Sequence, residues 1–370
     1  MLWTRRPLTP WQTWNHRKRC SALPSQKYQL LSHERRVREA LSKAGNAWQD
    51  RDCGLEVAMK EFLAGAYSAD MYASIRQACG LERSMADFKR ASSYQEVGTL
   101  TNLFTGIQRK GVPPTEDTES ARTNRRRIVT VAQMQQIAYE LHNDIATTMP
   151  DDNDNVNEIN SANKQKTLLG NALLSLAFKT VIDTADIRVL KTFSRSLQRF
   201  SSSYFGDEEG TGAAEYTPVI RQWYRYQVYN VEALANAFEC LQLLARANVV
   251  ELHAARQCAT NLALAIQATK ELDHFLNYEC HNPKDDQWTL PAILAQANLN
   301  KASEMRRLCG DSSRKSDAEK SQREQDIVDG VSRVIRELTD GVLGYVADCK
   351  ASEASEALRD IAGRMRITGH

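Results

Sequence analysis

The sequence predicts an all-α protein, a bundle of helices around a central cavity. Apolar residues recur at steps of three and four over long stretches, as at Val131, Met134 and Ala138, which is the spacing of one face of a helix. No run shows the alternation of β-branched residues that is typical of a strand. Hydrophobic residues make up 42% and charged residues 25% of the 370 residues, which is ordinary for a globular chain with a large core.

Helical spacing recurs along most of the chain after residue 33. We predict helices over 34–91, 131–145, 163–182, 185–205, 223–247, 251–278, 326–349 and 353–366. Segments rich in glycine, proline or charged residues predict loops over 108–127, 150–160, 206–218 and 308–325. The longest apolar run, 167–182, is shorter than the roughly 20 residues that a membrane span needs, so we predict no transmembrane helix.

Residues 1–33 differ from the rest of the chain in their charge. They contain six of the 48 basic residues, and no acidic residue precedes Glu34. A segment that is rich in arginine, free of acids and without a continuous apolar core is typical of a mitochondrial transit peptide. A disordered basic tail is the alternative. We therefore predict a single helical domain over 34–370, in the mitochondrial matrix.

Metal and redox motifs are not evident. The eight cysteines include no C-x-x-C pair, which excludes the usual zinc ribbon and redox patterns. The acidic segment that starts at Asp151 is not a calcium loop, because Val156 replaces the required glycine and Ala162 the bidentate acid. The group Asp273, His274, Cys280 and His281 has no established ligand spacing. A formal net charge of +2 gives no indication of a nucleic-acid partner.

Three segments carry the pattern of one family. Residues 141–147 read Leu-His-Asn-Asp-Ile-Ala-Thr and resemble the first aspartate-rich motif of trans-prenyltransferases (polyprenyl synthetases), Leu-His-Asp-Asp-x-x-Asp. Residues 163–175 resemble that family's Asn-Lys, Leu-x-Gly-Asp and Leu-Leu-Ser helix, and 251–278 its second aspartate-rich helix. The resemblance covers about 34–366 and implies the isoprenoid-synthase type of helical bundle.

The acids are incomplete where the family's chemistry needs them. At the first motif Asn143 and Thr147 replace carboxylates and only Asp144 is kept, and the second motif falls on Lys270, Glu271 and His274. The family ionises an allylic diphosphate with divalent metals, and magnesium prefers carboxylate oxygens in octahedral geometry. Unit charges about 5 Å apart interact by on the order of 3 kcal/mol at an effective dielectric near 20, so an ammonium there opposes a cation. We therefore expect no metal site and no catalytic residue.

The basic residues that grip diphosphate in the family are also replaced. Residues 94–98, Tyr-Gln-Glu-Val-Gly, are the nearest counterpart of a Gly-Gly-Lys-x-x-Arg-Pro segment, and Asn230 takes the place of a lysine. These replacements remove charge-assisted hydrogen bonds. Lys164 and Gln267 match family residues that contact substrate, so the resemblance implies that they are remnants of a substrate site.

The resemblance implies a catalytically silent member of the family. Such a chain would be a regulatory or stabilising subunit that pairs with an active polyprenyl diphosphate synthase subunit to make the ubiquinone side chain. It would be inactive alone and need no cofactor, with Mg²⁺ expected only in the catalytic partner. Peripheral contact with the inner membrane is a further expectation, and a nucleic-acid partner is not expected.

Other functions stay open at this point. One is a structural or assembly subunit of another mitochondrial complex that uses a vestigial prenyltransferase fold; another is an active prenyltransferase. A terpene cyclase is a third alternative, because Asn143, Asp144, Thr147 and Asp151 resemble a metal motif of that class. Pro150 argues against the cyclase, since it should end the helix before Asp151 can join the same face.

Overall fold

The computed structural model describes residue 39 and residues 93–110, 118–145, 156–203, 216–277, 288–297 and 317–366. Within these residues every regular element is a helix, and the one β-bridge joins Arg109 and Cys349. The helices are α1 (Ser93–Thr105), α2 (Glu119–Asn143), α3 (Val156–Ile182), α4 (Ile187–Ser203), α5 (Pro218–Leu244), α6 (Val249–Asn277), α7 (Asp317–Ala347) and α8 (Glu353–Met365). A short helical segment spans 290–297. The all-α prediction is confirmed.

Helices α5 and α6 form the centre of the bundle. They pack against each other, while α1, α2 and α4 lie against α5, and α7 lies against α6. Helix α5 buries large side chains such as Trp223, Leu234 and Phe238 almost completely. A helix that is apolar around most of its circumference is one that neighbouring helices surround. Phe104 of α1 stacks on Phe238 with ring centroids 3.7 Å apart and fixes α1 to this centre.

Helices α2 and α3 form a closely packed pair. The stripe predicted from the sequence is buried at Val131, Met134 and Ala138 of α2. Gly170 of α3 lies under the ring of His142, where an added Cβ would be 2.6 Å from His142 Nε2. The absence of a side chain at position 170 therefore allows the two helices to approach at the level of the first motif.

Helix α2 begins earlier than the sequence predicted. Residues 119–127, predicted as part of a loop, form its first turns. The side chain of Thr118 accepts a hydrogen bond from Ala121 N at 3.2 Å, which satisfies one of the free backbone donors at the helix start. Arg127 donates to the backbone oxygen of Asp183 at 2.7 Å and ties this end of α2 to the end of α3.

Helices α3 and α7 also begin inside predicted loops, at Val156 and Asp317. The first turns of α7 have little apolar spacing, and the prediction relied on that spacing. Their side chains instead support the helix locally, because Gln322 donates to Asp326 at 2.9 Å and Gln325 donates to Asp329 at 2.8 Å, each four residues on.

Several predictions fall outside the described residues. They include the segment 1–33 and most of the predicted helices over 34–91, of which the described residue 39 is helical. Among the helices that the structure describes, none combines the length and the apolar character that crossing a bilayer requires.

Candidate interhelical polar site

Polar side chains from α1, α2, α5 and α6 meet between these helices near the second motif. We call them the polar cluster: Glu96, Gln136, Glu140, Gln227, Asn230, Gln267, Lys270 and Glu271. Two of the three second-motif residues, Lys270 and Glu271, belong to it, together with the predicted remnant Gln267.

Lys270 forms an ion pair across the bundle with Glu96 of α1. Lys270 Nζ lies 2.6 Å from Glu96 Oε2, and the Glu96 side chain is only 10% exposed. Glu96 belongs to the segment aligned with the family's Gly-Gly-Lys-x-x-Arg-Pro. The family pattern has a lysine in this segment and an acid in the second motif, whereas here the acid, Glu96, lies on α1 and the lysine, Lys270, lies on α6. The ammonium group thus lies where the family pattern has a carboxylate.

Glu140 of α2 is the second carboxyl group near Lys270. Gln136 Nε2 donates to Glu140 Oε1 at 2.8 Å, one helical turn away. Burial raises the pKa of Glu140 to about 7, against the weaker opposing effects of the Gln136 hydrogen bond and of the Lys270 charge. A group of this kind exchanges a proton close to neutral pH. The buried Gln136 Oε1 accepts no hydrogen bond from the part of the chain that the structure describes.

Glu271 is 8% exposed and accepts four hydrogen bonds. Its Oε1 accepts from Trp223 Nε1 at 3.4 Å, Gln227 Nε2 at 3.0 Å and Gln267 Nε2 at 2.9 Å. Its Oε2 accepts from Leu290 N at 2.7 Å, the first residue of the helical segment 290–297. These four donors are all neutral, and one of them fixes the start of the next helical segment.

Asn230, which replaces the family's lysine, joins the same network. Asn230 Nδ2 donates to Gln227 Oε1 at 2.8 Å, and Gln227 in turn donates to Glu271. An amide in this position satisfies a neighbouring amide, whereas a lysine would bring a positive charge to the cluster.

At the first motif Asp144 follows the last residue of α2, Asn143, which is half-buried. Lys166 Nζ lies 2.6 Å from Asp144 Oδ2 and also donates to the Asp144 backbone oxygen at 2.7 Å. The one acid kept in this motif is therefore paired with a lysine of α3. Thr147 lies outside the described residues.

The structure does not bring all predicted residues together. Lys164 is exposed on α3 and His274 is exposed on α6, whereas Gln267 contacts Glu271. His142 is half-buried, and burial lowers its pKa. Its ring packs over Gly170, which is the role of a packing residue rather than of a ligand.

Sequence reasoning missed three members of the polar cluster, Gln136, Glu140 and Gln227, and did not pair Glu96 with Lys270. Glu140 lies four residues before Asp144, so helical spacing could have placed it on the face of the first motif. For Glu96 the signal was weaker, because its partner Lys270 is 174 residues away in the sequence.

A second ionic cluster lies elsewhere, between α4, α5 and α6. Arg256 bonds to the fully buried Glu232 and, at 3.3 Å, to Glu239, which also pairs with Arg195 at 3.4 Å. Arg256 is an anchor between two helices because one guanidinium group serves two acids of α5. It holds the central helices in register and is separate from the motifs.

The carboxylates near the motifs are a poor set of magnesium ligands. Asp144 and Glu96 are each paired with a lysine, and Glu271 accepts hydrogen bonds on both oxygens. Magnesium requires several oxygens with free lone pairs in octahedral geometry. Among the described residues, no group of three or more His, Cys, Asp or Glu is placed to hold a metal ion.

The fold is the all-α isoprenoid-synthase fold of polyprenyl and prenyl diphosphate synthases. A decaprenyl diphosphate synthase from Rhodobacter capsulatus superimposes with a TM-score of 0.59 at 15% sequence identity, over 90% of this chain and 98% of that chain. A polyprenyl synthase from Caulobacter crescentus, solved with calcium and isoprenyl diphosphate, gives 0.57 at 16% identity, over 88% of this chain and 96% of that chain.

A third similar structure is heptaprenyl diphosphate synthase from Staphylococcus aureus, with a TM-score of 0.52 at 13% identity, over 90% of this chain and 97% of that chain. No protein-family model matches the sequence. No curated protein matches it either. At these identities the likeness establishes the fold.

Proposed function

We propose that this chain is the catalytically silent subunit of a heteromeric, mitochondrial all-trans-polyprenyl diphosphate synthase that makes the ubiquinone side chain. The observation that carries the proposal is the state of the motif carboxylates. Asp144 and Glu96 are paired with lysines, and both oxygens of Glu271 accept hydrogen bonds from neutral donors.

The proposed silence follows from the charge that the reaction develops. Ionisation of an allylic diphosphate leaves extra negative charge on the leaving group, which divalent cations must balance in the transition state. A divalent cation about 5 Å from an ammonium is repelled by roughly 6 kcal/mol at an effective dielectric near 20. Lys270 is paired with Glu96 and its charge also acts on Glu140, so it opposes the binding of such a cation near either carboxyl group.

In the proposed complex, the catalytic subunit supplies Mg²⁺ and the chemistry. The present chain supplies stability, chain-length control or membrane placement, in the mitochondrial matrix and peripheral to the inner membrane. The similar fold supports this division, because a chain can keep its helix packing while the polar residues inside it lose the catalytic pattern.

An elongation assay tests the silence directly. The purified chain is incubated with Mg²⁺, isopentenyl diphosphate and an allylic diphosphate primer, alone and together with an active polyprenyl diphosphate synthase subunit. We expect no product from the chain alone and more product, or longer product, from the mixture than from the active subunit by itself. Robust elongation by the chain alone would refute the proposal.

Affinity purification from mitochondria tests the partner. We expect an active prenyltransferase to co-purify, and depletion of the chain to lower ubiquinone. Recovery of ribosomal or respiratory subunits without a prenyltransferase would instead support an assembly role in another complex.

A further inference from the structure

Three aliphatic side chains are exposed at one end of the bundle. Ile187 is the first residue of α4, and Val249 and Val250 are the first two residues of α6; they are 61%, 79% and 74% exposed. These are the most exposed large apolar residues in the part of the chain that the structure describes. The Cα–Cβ bonds of a helix tilt toward its N-terminus, so these three side chains lean outward from the end of the bundle.

Hydrogen bonds between helix ends bring the neighbouring segments together. Arg188 Nη2, at the start of α4, donates to the backbone oxygen of Leu243, near the end of α5, at 3.1 Å. Asn124 Nδ2, in the first turns of α2, donates to the backbone oxygen of Thr184, just after α3, at 3.3 Å. The start of α2, the turn between α3 and α4 and the turn between α5 and α6 therefore lie side by side.

Basic residues predominate at this end of the bundle. We call residues 119–127, 179–191 and 245–251 the end face; it contains eight bases and four acids. Two of its acids, Glu119 and Asp183, are exposed, compared with six of its bases. The exposed bases are Arg122, Arg126, Lys179, Arg188, Lys191 and Arg246. The end face thus combines projecting aliphatic groups with an excess of positive charge.

We propose that the end face binds the surface of a bilayer that contains anionic lipids. The aliphatic side chains would enter the boundary between headgroups and acyl chains, and the bases would contact the lipid phosphates. The composition favours lipid over a protein partner, because protein interfaces are enriched in aromatic residues and depleted of lysine. The end face has no aromatic residue and contains two lysines. The inference deepens the membrane placement within the proposed function, and it rests on that function for the mitochondrial membrane as the target.

This contact would fix how the bundle stands on the membrane. Helix α2 runs from the end face to Asp144, a distance of about 37 Å at 1.5 Å per residue. Lys270 lies about 30 Å along α6 from Val250 by the same measure. Binding through the end face therefore directs both motifs away from the bilayer and leaves the sides of the bundle open to a partner subunit.

Co-sedimentation of the full chain with vesicles tests the role of the charges. We expect binding to vesicles of equal parts phosphatidylcholine and phosphatidylglycerol, little binding to phosphatidylcholine alone, and weaker binding as salt is raised. Lys179→Gln combined with Lys191→Gln should weaken binding to the mixed vesicles by about fivefold for each base removed. Arg333→Gln combined with Arg336→Gln is the matched control, because it removes the same charge from exposed positions of α7, and it should bind like wild type.

A second pair of variants tests the aliphatic side chains. Val249→Ser combined with Val250→Ser should weaken binding to the mixed vesicles by on the order of tenfold, with unchanged circular dichroism. Leu168→Ser, at a position on the side of α3 that is 54% exposed, is the control and should bind like wild type.

The proposal is overturned if wild type binds both kinds of vesicle equally or binds neither, including the case in which it captures an acidic protein instead. It is also overturned if either end-face variant binds like wild type, or if a control weakens binding as much. The elongation assay contains no vesicles, so elongation by the chain alone would refute the silence and leave this proposal standing. A silent chain that does not bind vesicles would have the reverse effect.

Discussion

Glu140→Gln tests whether a carboxyl group between the helices holds a proton near neutral pH. Glu140 lies on α2, accepts a hydrogen bond from Gln136 at 2.8 Å and faces the ion pair of Lys270 and Glu96. Glutamine has nearly the same shape but no charge at any pH. The substitution therefore removes the titration of this position while keeping its packing.

The sign and size of the expected change in unfolding free energy follow from the raised pKa of Glu140, which is about 7 in the folded chain against 4.5 ordinarily. A carboxyl with a raised pKa binds its proton more tightly when folded, so its stabilising effect is full below about pH 4.5 and is lost as the pH rises through 7. Between these two limits the unfolding free energy of wild type falls by about 3 kcal/mol, since each unit by which the pKa is raised corresponds to about 1.36 kcal/mol. At pH 8 the variant should exceed wild type in unfolding free energy by about that amount, and at pH 5 by much less.

Urea denaturation followed by circular dichroism at pH 5, 6, 7 and 8 measures this difference. The other titrating groups are shared, so they cancel when wild type and variant are compared at each pH. Glu337→Gln, at an exposed position of α7, is the control and should change stability equally at every pH. A Glu140→Gln effect that is constant from pH 5 to 8, or that favours wild type at pH 8, would refute the reasoning.

Four further predictions concern the polar cluster and the first motif. Lys270→Met should lower the unfolding free energy by about 2 kcal/mol in urea denaturation, because it leaves Glu96 nearly buried without its cation, and adding Glu96→Gln should recover most of the loss. Glu271→Ala should cost about 3 kcal/mol and speed hydrogen exchange in residues 290–297, whose first amide it releases; unchanged exchange there would contradict the assignment. Gly170→Ala should lower stability by about 1–3 kcal/mol in thermal unfolding, since the new methyl group meets a histidine ring of α2, and an unchanged melting temperature would show that this ring moves freely. Mg²⁺ added to the chain alone should leave the melting temperature unchanged, because a ligand stabilises only a state that binds it; a rise would contradict the proposed silence.

The sequence predicted the parts of the structure that rest on local periodicity. The buried stripe of α2 and the helical nature of α5 and α6 could be read from apolar spacing, because a helix that packs on a core must repeat every three or four residues. The glycine at position 170 could be recognised from its place in a family pattern, and its physical reason, the approach of His142, is visible only in the structure.

What the sequence could not predict depends on distant pairs and on polar helix ends. That Lys270 would meet Glu96 is a property of the packed bundle, since nothing in either neighbourhood specifies the other. The first turns of α2 and α7 were missed because they have no apolar face, and their stability comes from capping and from side-chain bonds one turn apart. Periodicity reports on burial, and no residue of 119–127 or of 322–326 is buried.

The polar cluster shows the three ways in which a carboxyl group between helices can be kept without a metal. A lysine can neutralise it, as Lys270 does for Glu96; neutral donors can surround it, as around Glu271; or it can keep its proton, as the raised pKa of Glu140 indicates. The lysine and the proton balance the negative charge that would attract a divalent cation, and the neutral donors occupy the lone pairs that would bind one. If one of these three arrangements is lost, the other two stay in place. An acid substituted for Lys270 should therefore not suffice by itself to create a metal site.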